Sequence, residues 1–119
     1  PTPGYDLYFV EAKGFCEVHF RETMVIIGQL AGDGRFFRDK VEEVARKLGY
    51  KEGGTICIRK EIRAYIQLFG YRIEREEKLP DGEIRYHARH KKTGKWLRAS
   101  PMFRYKGSGK LAYGVTWEI

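Results

Sequence analysis

Apolar and polar positions change period several times along this chain, and each change predicts an element. Tyr5 to Ala12 and Phe15 to Glu22 read as two strands joined by a tight turn at Lys13-Gly14. In the second, Cys16, Val18 and Phe20 fall on one face and Glu17, His19 and Arg21 on the other. Thr23 to Gly28 is almost continuously apolar, which predicts a central strand buried on both faces. From Arg35 to Leu48 the spacing lengthens. Phe37, Val41, Val44 and Leu48 recur at four, three and four, predicting a helix with one apolar stripe that stops at Gly49. Thr55 to Ile58 is a short β-branched strand. Lys60 to Phe69 predicts a second helix, with Ile62, Ile66 and Phe69 inward and Gly70 ending it. Strands follow at Tyr71 to Glu76, Ile84 to His90, Trp96 to Ala99 and Leu111 to Ile119. Turns fall at Pro80-Asp81-Gly82 and Lys92-Thr93-Gly94-Lys95, and a flexible loop at 106–110.

This order predicts an α/β (mixed α+β) chain: a central, mixed but mostly antiparallel sheet, two helices packed on it, and extra C-terminal strands. With 119 residues and no repeat or linker, one domain over 1–119 is expected. No run of about 18 apolar residues exists, so no membrane span is expected. The chain opens Pro-Thr-Pro-Gly and soon reaches Asp6 and Glu11, unlike a secretory leader. Cys16 and Cys57 sit inside strand-like runs and read as small buried hydrophobes in a reducing, cytoplasmic setting. His19, His87 and His90 lack zinc spacing with either cysteine, so no metal is expected.

The net charge of +7 is unevenly spread. Residues 61–119 carry thirteen Lys/Arg against seven Asp/Glu, and no acidic residue lies between Ile84 and Trp117. That stretch holds Arg85, Arg89, Lys91, Lys92, Lys95 and Arg98, interleaved with Tyr86, Trp96, Phe103 and Tyr105. A cationic surface with aromatics suits an anionic partner: nucleic acid, an acidic protein or a phosphate-bearing cofactor.

Gln29-Leu30-Ala31-Gly32-Asp33-Gly34 lies between the apolar strand and the first helix. Strand, glycine loop and helix start suit phosphate, because glycines admit close approach and unpaired N–H groups point at the anion. With Gln29, Gly32 and Gly34 in place, the loop resembles the R/Q-x-x-G-x-G/A signature of the GNAT superfamily of N-acetyltransferases. Ala45-Arg46-Lys47-Leu48-Gly49-Tyr50 is similar to that family's helix end. The segment from Arg63 to Ile73, containing Leu68-Phe69-Gly70-Tyr71, resembles its second signature. The resemblance spans roughly residues 15–90, with 91–119 as a basic β extension. It implies an acetyltransferase-like fold that binds acetyl-coenzyme A and acetylates a primary amine, on a protein or a small molecule. It implies cofactor contacts at Ile27, Gly28, Gln29, Leu30, Ala31, Gly32, Asp33, Gly34 and Arg35. Backbone N–H groups of 31–35 would hold the pyrophosphate, and the end of the central strand would pair with the pantetheine arm. The chain departs from the family in three ways. Ile66 stands at the usual acid position, with Tyr65 one residue earlier; Asp33 places a carboxylate in a phosphate loop; and the family's first strand and two helices have no counterpart.

Amine attack on a thioester needs a base, an oxyanion donor and an acid for the leaving thiolate. Glu22, with Glu17 and His19 beside it, is the expected base, and a main-chain N–H near Ile26 or Ile27 the donor. Tyr65, then Tyr71, is the expected acid, and Cys57 a conceivable nucleophile. Two alternatives have no catalytic step. One is nucleic-acid binding through Arg85, Arg89, Lys91, Lys92, Lys95 and Arg98. The other is a phage or mobile-element protein docking on a host complex. The long uncharged face of Leu111 to Ile119 offers a homodimer edge.

Overall fold

The structure, a computed structural model, describes residues 2–58 and 61–119. Its elements run β1 (Asp6–Val10), β2 (Gly14–Phe20), β3 (Met24–Gly32), α1 (Gly34–Lys47), β4 (Glu52–Cys57), α2 (Ile62–Leu68), β5 (Tyr71–Lys78), β6 (Ile84–His90), β7 (Trp96–Arg104) and β8 (Leu111–Glu118). Eight strands and two helices make this an α+β chain, as the periodicity predicts. It divides into two compact units, Pro1–Thr55 with Ile119, and Ile56–Glu118. The division falls inside β4. No helix among the described residues is long and apolar enough to cross a membrane.

In the first unit β1, β2 and β3 are antiparallel neighbours, and β3 pairs with β4 in parallel through the crossover helix α1. Parallel pairing needs such a crossover, and α1 supplies it. Cys16, Val18, Val25, Ile27, Phe37, Val41 and Ala45 are the buried apolar residues here. The helix stripe is rotated from the expected one: Ala45 is buried where Val44 and Leu48 were expected, and both of those are exposed. Steps of 100° per residue put 37, 41 and 45 along one line, so small Ala45 can sit against the sheet while Val44 turns outward. Buried Arg38 stays beside Glu42 one turn on, at 3.3 Å.

β3 corrects the expected loop. Instead of ending at Gly28, it runs four residues further, and Leu30, Ala31 and Gly32 pair with Cys16, Phe15 and Gly14 of β2. Gly14 (φ +113°) and Gly32 (φ +111°) face each other where the two backbones nearly touch. A Cβ on Gly32 would lie 2.0 Å from the Lys13 carbonyl oxygen, and one on Gly14 1.9 Å from that of Ala31. Both glycines are therefore required by the strand pairing itself.

In the second unit β5, β6, β7 and β8 pair antiparallel in sequence order. Tyr71, Tyr86, Ala88, Leu97, Ala99, Ala112, Tyr113, Val115 and Trp117 are buried, with Ile62 and Ile66 of α2. Lys60, expected to open that helix, lies outside the described residues. Alternation in β6 is as predicted: Tyr86 and Ala88 inward, Arg85, His87 and Arg89 outward. β7 extends five residues past the expected Ala99, through a register shift at Pro101/Phe103. The apolar face of β8, offered above as a homodimer edge, is buried within the chain. The exposed apolar strand is instead β1, all five of whose residues are exposed and which pairs only with β2 among the described residues.

Candidate functional site

The centre of the candidate site is an irregularity in β3. Between Cys16 and Val18 on β2 stands one residue, Glu17. Between their partners Leu30 and Ile27 on β3 stand two, Gly28 and Gln29. This is a β-bulge, which leaves backbone groups out of the ladder and re-aims the strand. On the other side the β3–β4 ladder ends one residue earlier, at Ile27↔Thr55, where the Thr55 hydroxyl donates to the Ile27 carbonyl at 2.9 Å. Gly28 and Gln29 thus have no register partner on either neighbouring strand. Ile26 and Ile27, near which an oxyanion donor was expected, are paired on both sides.

Glu17 faces this bulge. A Cβ added on Gly28 would lie 3.4 Å from the Glu17 Cβ and 3.0 Å from the Tyr5 ring. Alternation along β2 holds, with Cys16 and Val18 on one face and Glu17 on the other, and Glu17 is buried as well because Thr2 and Tyr5 of the N-terminal segment lie over its face. Burial, with the Glu17 charge adding to it, pushes the Cys16 thiol up to about 11, which keeps it protonated and unreactive. His19 bonds through Nδ1 to the Gly4 carbonyl, and its ring packs 5.1 Å from that of Tyr5. It is a clasp for the N-terminal segment.

Glu22 is not at this site. It is exposed in the β2–β3 turn, six residues from Gly28, or about 20 Å along an extended chain. Glu17, ranked behind it on sequence grounds, is the carboxylate that the bulge brings in. Tyr65 belongs to the second unit, where its ring lies 5.0 Å from that of Phe69. Tyr71 is buried with its ring edge-on to His90. Cys57 is buried at the end of β4.

The helix N-terminus after Gly32 is served from within. Asp33 is the N-cap of α1: its carboxylate accepts from the Phe36 N–H at 3.0 Å, and its carbonyl accepts from the Phe37 N–H. The Asp33 N–H itself donates to the Lys13 carbonyl at 2.9 Å. The Phe36 bond first, then nearby Lys13, hold the Asp33 carboxyl below its ordinary value. An anion at this terminus meets a carboxylate already in the place where it would bind.

The six basic residues of the alternative surface divide into two groups. Arg85 pairs with Glu77 at 3.3 Å and Arg89 with Glu74 at 3.1 Å. The His87 hydrogen bond first, then Arg85, hold the Glu77 carboxyl below its ordinary value. Lys91, Lys92 and Lys95 in the β6–β7 turn have no carboxylate partner among the described residues, and the Arg98 guanidinium lies over the Trp96 ring at 5.7 Å. A groove of about 270 Å³ runs beside them, lined by Glu74, His87, Arg89, Trp96 and Arg98.

No family model, characterised protein or solved structure matches this chain.

Proposed function

We propose that this chain binds an acyl thioester of the acetyl-coenzyme A type and passes its acyl group to an amine at the β3 bulge. The observation that carries it is the backbone of Gly28 and Gln29, which lacks ladder partners on both sides where a parallel pair of strands ends. Backbone groups set out of the regular ladder at such a point suit an extended pantetheine arm and a developing oxyanion. The order β3–α1–β4–α2–β5 and the two signature segments support the same reading.

Acetyl-coenzyme A supplies the activated acyl group. The chain's own residues do the rest. Glu17 takes the ammonium proton of the acceptor, leaving the nitrogen lone pair free for attack on the thioester carbon. The bulge N–H donates to the oxygen that gains charge as the C–N bond forms. As the C–S bond breaks, the second proton that the nitrogen sheds on becoming an amide passes through water to the thiolate, Glu17 releases its proton to solvent, and the amide leaves. Neither Tyr65 nor Glu22 enters this scheme. Asp33 weakens the hold on the diphosphate end, since its carboxylate repels it.

A thermal melt with acetyl-coenzyme A, against adenosine diphosphate as control, tests the proposal in the native chain and in Asp33→Asn. Asparagine caps a helix as well as aspartate but carries no charge. Saturation at a hundredfold excess over Kd adds about 2.7 kcal/mol, on the order of 10 °C for a chain of this size. The full cofactor should stabilise the native chain more than the control does. Asp33→Asn should bind it about fivefold more tightly, the effect of removing roughly 1 kcal/mol of repulsion. Absence of a shift in both folded proteins overturns the proposal.

A second reading rests on a separate observation: Lys91, Lys92, Lys95 and Arg98 form no ion pair with a carboxylate among the described residues, and Arg98 lies over an aromatic ring. That combination suits single-stranded nucleic acid, with phosphates on the lysines and a base against Trp96.

A further inference from the structure

Glu17 is a carboxylate in an apolar place. It is 2% exposed, and the Thr2 N–H approaches its two oxygens at 3.3 Å each. No lysine, arginine or histidine side chain pairs with it among the described residues. Among the described residues that one shared amide is its donor, which meets only part of the desolvation cost of a buried charge. Further compensation has a place to come from. On the same face of β1, β2 and β3 lies an open cavity of about 560 Å³, lined by Thr2, Leu7, Phe9, Phe15, Glu17 and Gln29.

The register explains how this cavity arises. Leu7 stands opposite Glu17, and Phe9 opposite Phe15, so one face presents two aromatic rings, a leucine and the acid together. Leu7 is 52% and Phe9 73% exposed, a large apolar area to leave in water on one short edge strand. A neutral ligand would cover the apolar walls but leave the carboxylate unbalanced. An anion would be repelled. A hydrated metal ion would gain nothing from leucine and phenylalanine. An organic cation satisfies both halves, its head at Glu17 and its body against the rings, which also attract cations through their faces. The volume lies within the range of small-ligand pockets.

We infer that this cavity is a binding site for a small organic ammonium with an aromatic or branched aliphatic body. Because Glu17 faces the β3 bulge, the ligand sits beside the backbone proposed above to hold the thioester. Its role as the acyl acceptor rests on that proposal, whereas its binding does not.

Calorimetric titration of the full chain without any thioester tests the inference, using 2-phenylethylammonium, 2-phenylethanol and phenylacetate at neutral pH. The ammonium should bind at least tenfold more tightly than the alcohol, and phenylacetate should not bind. Glu17→Gln should reduce the ammonium to the level of the alcohol. Phe9→Ala, at an exposed position that folding tolerates, should weaken ammonium and alcohol together. Equal binding of the two by the native chain, or binding of neither, overturns the inference whether or not Glu17→Gln folds. The two proposals fail separately. Ammonium binding without a melt shift by acetyl-coenzyme A removes the acyl-transfer reading alone, and a melt shift without ammonium binding removes this one alone.

Discussion

Gly32 and Asp33 show how one residue can serve the backbone and still resemble a ligand site. Gly32 stands at a fixed position of a phosphate-loop signature, yet its lack of a side chain is already required by the Lys13 carbonyl 2.0 Å from where a Cβ would sit. Gly32→Ala forces both a left-handed backbone and a backbone clash, and should cost about 3 kcal/mol, read by urea denaturation without any ligand. A loss below about 0.5 kcal/mol would leave ligand approach as the better account of this glycine. Asp33 and Gly34 followed by Arg35 were legible as a helix start. That the carboxylate turns back on its own helix was not, because an N-cap and a phosphate loop use the same N–H groups.

At the scale of elements, the helix α1 separates pattern from packing. Its amphipathic character is plain in the sequence, but two stripes fit it, one through Val44 and Leu48 and one through Ala45. Sheet contact selects the second, because a small residue lets the helix approach β2 and β3 closely. Val41→Ala should therefore cost about 2 kcal/mol, while Val44→Ala should stay within about 0.5 kcal/mol. Equal losses in thermal or chemical denaturation would restore the sequence-derived stripe. The β3 bulge lies beyond pattern reading altogether. One extra residue shifts the face of everything after it on β3, while Glu17 keeps its place in the alternation of β2 and is enclosed by Thr2 and Tyr5 of the N-terminal segment. The expected carboxylate, Glu22, and the enclosed one, Glu17, differ because the enclosure comes from a segment 15 residues away in the chain.

At the scale of the whole molecule, the charge distribution is the property most directly read from the chain. Thirteen basic residues against seven acidic ones in 61–119 predict a cationic surface, and the ion pairs of Arg85 and Arg89 remove part of it. What remains is concentrated at Lys91, Lys92 and Lys95. If that turn binds nucleic acid, log affinity should fall linearly with log salt, and Lys91→Glu with Lys92→Glu and Lys95→Glu should abolish binding to an oligonucleotide. Retention of affinity by the triple variant would exclude this turn as the contact. None of the three lysines is buried in a core, so the variant tests charge rather than folding.

The sequence by itself determined the number and order of the elements, both helices, the buried cysteines and the basic second half. Those follow from local periodicity, turn chemistry and composition, all of which act over a few residues. Tertiary structure alone decided which helix face is buried, that β3 outruns its apolar stretch, where the ladder breaks, and which glutamate is enclosed. Each of these depends on a partner segment distant in the chain, and the energy of a pair belongs to neither member's own segment.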